Sequence, residues 1–257
     1  MKQAAPRNLS AFTIIEMLVI IAVLMVLASM YLPYSTRRAT AKAPRISCMN
    51  NLKEIGMAYR LWAGDNGDLV PPQQTVKEGG WADLLTNADQ GAICWTNYAI
   101  MATDLVNDLG QSPKLVICPA DERTAAISFT NGFDNTHLSY FVGVSANDIF
   151  PQSIQGGDRN LGSGPDAFRG YGFSPDGGKG NDVAIQTNSL LKPVSWSARM
   201  HSGGYAGGYG NIVLADGSSQ QTTSASFRAD WLSHADPTTN WPAGHVPASP
   251  SIRLIFP

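Results

Sequence analysis

The apolar positions of this chain are concentrated in one run near its amino terminus. Residues 12–32 read FTIIEMLVIIAVLMVLASMYL, and Glu16 is their only charged residue. At about 1.5 Å per residue, a helix of this length extends roughly 31 Å, which matches the hydrocarbon thickness of a bilayer. The pattern therefore predicts a transmembrane helix over residues 12–32.

Glu16 bears on which kind of apolar helix this is. The apolar region of a cleaved signal peptide is normally about 7 to 15 residues long, although Val26, Leu27 and Ala28 resemble a small-residue cleavage site. A plain signal anchor is a second interpretation, with Glu16 reaching the headgroups. The third is an assembly helix that packs against copies of itself. This is favoured because a carboxylate in a lipid-embedded helix is costly and is by default functional.

A second helical pattern follows the apolar run. Five residues recur at steps of four and three and so share one helix face: Cys48, Leu52, Ile55, Tyr59 and Trp62. The sequence GDNGD at 64–68 is a stop signal followed by a turn. We expect the face to pack on a sheet, and Pro44 to divide the helix into two pieces.

Beyond residue 70 the pattern predicts an α+β organisation with many loops. Short helical patterns occupy 81–88 and 98–109, and strand patterns occupy 139–144 and 252–256. Asp216 and Gly217, between apolar runs, predict a two-residue hairpin turn of type I′. Ser224 or Ser226 could cap a short helix. Residues 156–180 contain nine glycines and predict a long irregular loop.

Composition and charge narrow the class of protein. Apolar residues make up 44% of 257 residues, enough for one moderate core, and 25 Gly and 16 Pro indicate a loop-rich body. Six basic residues face one acidic residue up to position 45, and twelve face nineteen afterwards. A basic, apolar amino-terminal segment thus precedes an acidic body. The net charge of −2 gives no case for nucleic-acid binding.

The sequence SAFTIIEML at residues 10–18 resembles the processing and methylation site of type IV prepilins and type II secretion pseudopilins. In that family a prepilin peptidase cuts before the Phe position and methylates the new amine. The Glu four residues later pairs with the terminal amine of a neighbouring subunit. The resemblance places the cut between Ala11 and Phe12 and makes Glu16 the assembly acid. Ala11 departs from the usual glycine, and Pro33 matches a kink-forming proline of the family.

The resemblance also implies a domain organisation. It gives a leader peptide at 1–11, a transmembrane and assembly helix at 12–32, an amphipathic continuation at 33–64 and a globular α+β head at 65–257. The implied fold is pilin-like, with a long helix packed on an antiparallel sheet. The implied location is the inner (cytoplasmic) membrane, spanned once, with the amino terminus cytoplasmic and the head periplasmic or extracellular. The flanking charges alone would instead place the body inside.

We therefore expect a structural subunit, not an enzyme, of a type II secretion pseudopilus or type IV pilus-like filament. The partners implied are a prepilin peptidase, other pilin or pseudopilin subunits, the inner-membrane assembly platform and membrane lipid. Two other classes stay open. One is a membrane-anchored module that binds a polysaccharide or envelope partner, and the less favoured one is an anchored hydrolase using His201 and Asp158.

The body offers few residues with an evident chemical role. The catalytic candidates are Asp158, Arg159, His201 and Asp216, but nothing in their spacing shows that they converge, and a turn or ion pair explains them more simply. The histidines lack zinc-ligand spacing. Calcium has weak candidates in two acidic turns, namely Asp176, Asn181 and Asp182, or Asp65, Asn66 and Asp68. We expect no other cofactor.

Three cysteines allow one internal disulfide, in three pairings. Cys48 and Cys118 lie in the segments CMNNLKEIG and CPAD, which resemble segments of large pseudopilin-like proteins. The resemblance favours a bridge between these two, with Cys94 in the core. Free buried thiols are the alternative.

Overall fold

A computed structural model describes residues 12–86, 93–103, 107–163, 170–175, 177–186, 194–201, 208–232 and 251–257, with side chains at all of these except 31–42. The chain divides into two compact units. We refer to Met1–Ala43 as the amino-terminal unit and to Pro44–Pro257 as the globular unit.

The first helix, α1, covers Ile14–Asp65 and contributes to both units. Thr13 and Glu16 form a capping box at its start. The Thr13 N–H and hydroxyl both donate to Glu16 Oε2 at 2.8 Å, and the Glu16 N–H donates to Thr13 Oγ1 at 3.3 Å. Two residues of the predicted processing motif therefore define where the helix begins.

The structure corrects the membrane assignment. In the part of the chain that the structure describes, no helix is both long enough and apolar enough to cross a membrane. The predicted transmembrane helix over 12–32 and the predicted single-pass location in the inner membrane are therefore wrong.

The helix is also more continuous than expected. One α-helix runs through the positions of Pro33 and Pro44, so the predicted division at Pro44 is wrong. A proline removes one hydrogen bond from the ladder, and the packed face that follows Pro44 stabilises the helical turns beyond it. The Pro33 side chain lies outside the described side chains, and the kink there stays a prediction.

Within the globular unit, α1 carries the predicted buried face. All five of its side chains are at most 2% exposed: Cys48, Leu52, Ile55, Tyr59 and Trp62. They share one core with Tyr140, Val142, Val213 and Ile255 of the sheet. The expectation that this face packs on a sheet is confirmed.

In the described residues, the sheet has six strands in the order β4-β8-β1-β2-β6-β7, and every pairing is antiparallel. The strands are β1 (Tyr140–Gly143), β2 (Ile154–Asp158), β4 (Asn181–Gln186), β6 (Tyr209–Leu214), β7 (Ser219–Thr223) and β8 (Ser251–Phe256). A two-stranded sheet pairs β3 (Leu161–Ser163) with β5 (Val194–Trp196). The predicted α+β class, its antiparallel sheet and the strands at 139–144 and 252–256 are confirmed.

Each face of the sheet has its own core, because successive side chains of a strand point to opposite faces. Tyr140 and Val142 of β1 join the core beneath α1, whereas Phe141 between them joins the second core. The second core contains Trp196, Phe227 and Phe256.

The glycine-rich stretch begins as strand, so the predicted irregular loop over 156–180 is wrong at β2 and β3, whereas its described residues at 170–175 and 177–180 lie outside helices and strands. Gly156 and Gly157 lie in β2 at points of close approach between strands. A Cβ on Gly157 would lie 2.8 Å from the carbonyl oxygen of Asn211 and 2.8 Å from the Phe141 ring. These glycines permit close packing and do not mark a loop.

The hairpin between β6 and β7 is confirmed, but not its turn type. The Gly217 N–H donates to the Leu214 carbonyl at 2.9 Å, and Gly217 has a φ of 80° while Asp216 is not among the positive-φ residues. This is a type I turn followed by a left-handed glycine, the three-residue hairpin loop.

Among the described residues, every helix after α1 is short. Helix α2 covers Cys94–Thr103, a 3-10 helix covers Ala82–Thr86, and helix α3 covers Ser224–Ser226. The cap of α3 is Thr223, whose side chain accepts from the Ser226 N–H at 3.1 Å, and neither Ser224 nor Ser226 has that role.

Candidate functional site

Four chemically reactive side chains meet inside the globular unit. Their ligand atoms all lie within 4.8 Å of one another, and all four residues are buried: Cys48, Cys118, Asp158 and His201. We refer to them as the Cys₂AspHis cluster. They are forty or more residues apart in sequence, so only the tertiary fold brings them together.

Each member comes from a different part of the fold. Cys48 lies on the buried face of α1, and Asp158 is the last residue of β2, where it pairs with Tyr140 of β1. Cys118 follows a 3-10 helix at Pro113–Val116, and the Ser139 N–H donates to the Val116 carbonyl at 2.9 Å, which ties that segment to β1. His201 follows β5.

The contacts inside the cluster link every member to another. Cys48 Sγ donates to Asp158 Oδ1 at 3.0 Å. His201 Nε2 lies 3.2 Å from Asp158 Oδ2 and 3.4 Å from Cys118 Sγ. The side chains of His201 and Asp158 are 1% and 0% exposed.

Polar groups surround the cluster. The Asn211 N–H and Nδ2 donate to Asp158 Oδ2 at 2.6 and 2.9 Å. The Ala120 N–H donates to Cys118 Sγ at 3.4 Å, and the Tyr140 hydroxyl lies 3.3 Å from Cys48 Sγ. Backbone and side-chain donors thus hold the carboxylate and both sulfur atoms in place.

Burial and neighbouring groups shift the ionisation of the cluster. Burial raises the pKa of the Cys48 thiol well above its usual range, and the nearby Asp158 charge adds to this. Hydrogen bonding with Cys48 lowers the pKa of Cys118, although burial opposes it, and His201 adds to the lowering. Burial works against a charged His201, but the Asp158 carboxylate outweighs it and raises the His201 pKa to about 10.

The geometry does not match a nucleophilic triad. In such a triad the imidazole uses one nitrogen for the nucleophile and the other for the acid. Here Cys118 Sγ and Asp158 Oδ2 both contact the same Nε2 of His201. Four ligand atoms of sulfur, nitrogen and oxygen type that converge on one region can hold a metal ion.

The other catalytic candidates serve the fold. Arg159 pairs with Asp121, at 2.8 Å from Nε to Oδ2 and 2.8 Å from Nη2 to Oδ1, not with Asp158 beside it. Asp216 lies in the hairpin loop, where its Oδ1 accepts from the Ser218 N–H at 2.8 Å. Of the four candidates, the structure brings together only Asp158 and His201.

The calcium candidates are placed only in part. Asp182 contacts Arg253 Nη2 at 2.7 Å, and Asn181 Nδ2 donates to the Phe173 carbonyl at 3.1 Å. Asp176 lies outside the described residues. In the second turn, Asn66 Nδ2 donates to the Trp62 carbonyl at 2.8 Å. Calcium at either turn stays a prediction.

The predicted cysteine pair is adjacent in space. Cys48 and Cys118 are free thiols in the same cluster, and the disulfide between them stays a prediction. Cys94 is a buried thiol in the core, and its Sγ donates to the Ile255 carbonyl at 3.3 Å.

In the amino-terminal unit, the predicted processing and assembly residues lie at an exposed helix start. Ala11 lies outside the described residues, and Phe12 is 71% exposed. Hydrogen bonds from the Thr13 N–H and hydroxyl lower the pKa of the Glu16 carboxyl. This carboxyl is therefore ionised at neutral pH.

Sequence reasoning missed the cluster as a unit and missed Asn211 altogether. Its four members were each noticed, but long separations give no ligand spacing to recognise. The one available signal was the predicted pairing of Cys48 with Cys118. Comparison of the chain with protein-family models, curated proteins and solved structures finds no match.

Proposed function

We propose that this chain is a structural prepilin-like subunit, cut between Ala11 and Phe12 and assembled with other subunits into a pseudopilus or type IV pilus-like filament. The observation that carries the proposal is the exposed apolar surface of α1. Every residue at 12–30 is exposed, and Glu16 is the only charged residue among them.

Such a surface needs a partner. The large apolar side chains of residues 14–30 are 44% to 83% exposed, and soluble proteins rarely leave a continuous apolar surface of this extent in water. Another copy of the same helix is the partner that the proposal assigns. Burial of apolar area between copies then supplies the main driving force for assembly.

Glu16 would fix how far neighbouring helices are shifted along one another in this apolar contact. A carboxylate buried in an apolar interface is costly unless a positive charge meets it. Processing before Phe12 creates a terminal amine, and this amine on a neighbouring copy would be the partner.

The structure also gives Glu16 a competing role, because its carboxylate completes the capping box with Thr13. The two roles make different demands. A glutamine can serve in a capping box as well as a glutamate. Only a carboxylate can pair with a terminal amine.

The test is co-expression of the full chain with a prepilin peptidase, followed by mass spectrometry of the amino terminus and recovery of sheared filaments. We expect a mature chain that begins with methylated Phe12. We expect Glu16→Gln and Glu16→Ala to be processed normally and to lose assembly alike. Thr13→Val, which removes the capping hydroxyl and keeps the carboxylate, serves as the matched control and should still assemble.

Two results would contradict the proposal. One is a chain that retains Met1 or is cut after Ala28. The other is normal assembly of Glu16→Gln alongside failure of Glu16→Ala, because that pattern would assign Glu16 to capping alone.

A further inference from the structure

We propose that the Cys₂AspHis cluster is a structural zinc site, with Cys48 Sγ, Cys118 Sγ, His201 Nε2 and one Asp158 carboxylate oxygen as its four ligands. The proposal concerns the globular unit alone and does not depend on the filament role. It differs from the sequence-based interpretation, in which the histidines lack zinc-ligand spacing.

The spacing of the four atoms fits one small ion. Zinc binds sulfur at about 2.3 Å and nitrogen or oxygen at about 2.0–2.2 Å, so neighbouring ligands of a tetrahedral site lie roughly 3.3–3.6 Å apart. The contacts here are 3.0 Å from Cys48 Sγ to Asp158 Oδ1, 3.2 Å from His201 Nε2 to Asp158 Oδ2 and 3.4 Å from His201 Nε2 to Cys118 Sγ. All four ligand atoms lie within 4.8 Å of one another, so movements of up to about 1 Å bring them to zinc geometry.

The ligand types select the metal. Two sulfur ligands and one imidazole suit a borderline-soft ion, whereas calcium and magnesium prefer sites made of oxygen alone. Four protein ligands fill a tetrahedral shell and leave no open position, which is the arrangement of structural zinc sites. All four residues are buried, so solvent does not compete for the ion.

The surrounding groups match those expected around a metal. Ligating carboxylates are held by hydrogen bonds from a second layer of residues, and Asn211 donates to Asp158 Oδ2 through both its N–H and its Nδ2. The Ala120 N–H reaches Cys118 Sγ, and the Tyr140 hydroxyl lies beside Cys48 Sγ. Zinc binds thiolate sulfur and an unprotonated imidazole nitrogen, so Cys48, Cys118 and His201 each release a proton when the ion binds.

The role that follows is to hold the globular unit together. The four ligands come from α1, from the loop after Pro113–Val116, from the end of β2 and from the turn after β5. One ion would thereby connect α1 to the sheet. It would also hold the segments that carry Cys118 and His201. A disulfide could join only the two cysteine-bearing segments.

The test uses the full chain purified under reducing conditions. We expect close to one zinc per chain by elemental analysis. After the zinc is replaced with cobalt, we expect a sulfur-to-cobalt charge-transfer band in the near ultraviolet and intense visible bands of a tetrahedral ion. The cobalt spectrum reports the ligands of the unmodified protein, so it does not depend on whether a variant folds.

Variants assign the ligands. Cys118→Ser and Asp158→Asn should each lower zinc affinity, measured by competition with a chelator, and Cys118→Ser should weaken the charge-transfer band. Cys94→Ser is the matched control, because Cys94 is equally buried but lies outside the cluster, and it should keep full zinc content. Asn211→Ala should weaken zinc affinity about 10–100-fold while the tetrahedral spectrum persists.

The proposal is overturned if the reduced full chain binds neither zinc nor cobalt. It is overturned equally if Cys94→Ser removes the charge-transfer band as completely as Cys118→Ser does. A Cys48–Cys118 disulfide in the isolated chain, found by mass spectrometry without reductant together with no zinc, would assign the two sulfurs to a covalent bridge instead.

Discussion

The two described stretches of α1 use apolar side chains in opposite ways. At residues 14–30 they occur on every side of the helix, and all are exposed. In the globular unit they form one face, and Leu52 and Ile55 are fully buried while Leu61 is 58% exposed. The same residue types therefore stabilise the folded chain in one stretch and have no partner within the described chain in the other.

The difference separates folding from assembly. A helix with one apolar face gains its stability from the core that covers that face. A helix that is apolar on all sides and exposed gains stability only when another molecule covers it. Substitutions in the globular unit should accordingly change the free energy of unfolding, whereas substitutions at residues 14–30 should change the filament yield.

The largest effect should come from a buried charge in the globular unit. Asp121 and Arg159 pair at 2.8 Å with side chains that are 0% and 4% exposed. We expect Asp121→Asn to lower the free energy of unfolding by about 3–5 kcal/mol, because it leaves Arg159 buried without its charge partner. Chemical denaturation of the variant and of the parent chain measures this.

The Asp121 effect should depend on pH. Burial raises the pKa of Asp121, but its hydrogen bonds and attraction to Arg159 outweigh burial, and the net pKa is lowered. A lowered carboxyl pKa stabilises the fold above the unfolded pKa of about 3.9, and this contribution is lost as the pH falls through the folded pKa. Glu122→Gln, which alters an exposed pair with Arg199, should cost at most about 1 kcal/mol.

One leucine from each stretch of α1 allows a direct comparison of their contributions to stability. Leu52→Ala should lower the free energy of unfolding by about 2–5 kcal/mol, because it opens a cavity beneath the helix. Leu24→Ala, at a leucine that is 59% exposed, should change it by less than about 0.5 kcal/mol and should reduce filament yield. Equal losses of stability at both positions would mean that residues 14–30 are packed within the chain.

The smallest effect compares two glycines of the globular unit. Gly217 has a φ of 80°, so Gly217→Ala should cost about 1–2 kcal/mol. Gly64 lies in the last turn of α1 with no atom within 4 Å of an added Cβ, so Gly64→Ala should stabilise by about 0.5–1 kcal/mol. Thermal unfolding should show a lower melting temperature for Gly217→Ala and a higher one for Gly64→Ala. A shift in the same direction for both variants would contradict this prediction.

Features encoded by nearby residues could be predicted from the sequence. The Asp216-Gly217 hairpin, the strands that became β1 and β8 and the buried face of α1 all rest on short patterns of turn residues or of hydrophobic period. The errors came where one residue type has two uses. Gly156 and Gly157 were interpreted as loop formers, whereas in β2 they allow close contact with neighbouring strands.

The candidate site could not be predicted, because its geometry is set by tertiary structure. Asp158 and His201 belong to segments separated by β3, β4 and β5 in sequence, and their contact depends on the two sheets forming. Arg159 follows Asp158 in sequence, but its guanidinium pairs with Asp121, which lies 38 residues earlier in the chain. The apolar run was assigned to a membrane because hydropathy measures the tendency of side chains to leave water. It does not specify whether lipid or protein then covers the helix.

The strand order has a consequence for how the chain reaches its native state. Strand β1 lies between β2, its next strand in sequence, and β8, which follows it by more than a hundred residues. Pairings over such separations raise the contact order and slow folding. A growing chain therefore exposes one edge of β1 until β8 emerges, and during synthesis that edge is open to misdirected pairing or to protection by a chaperone.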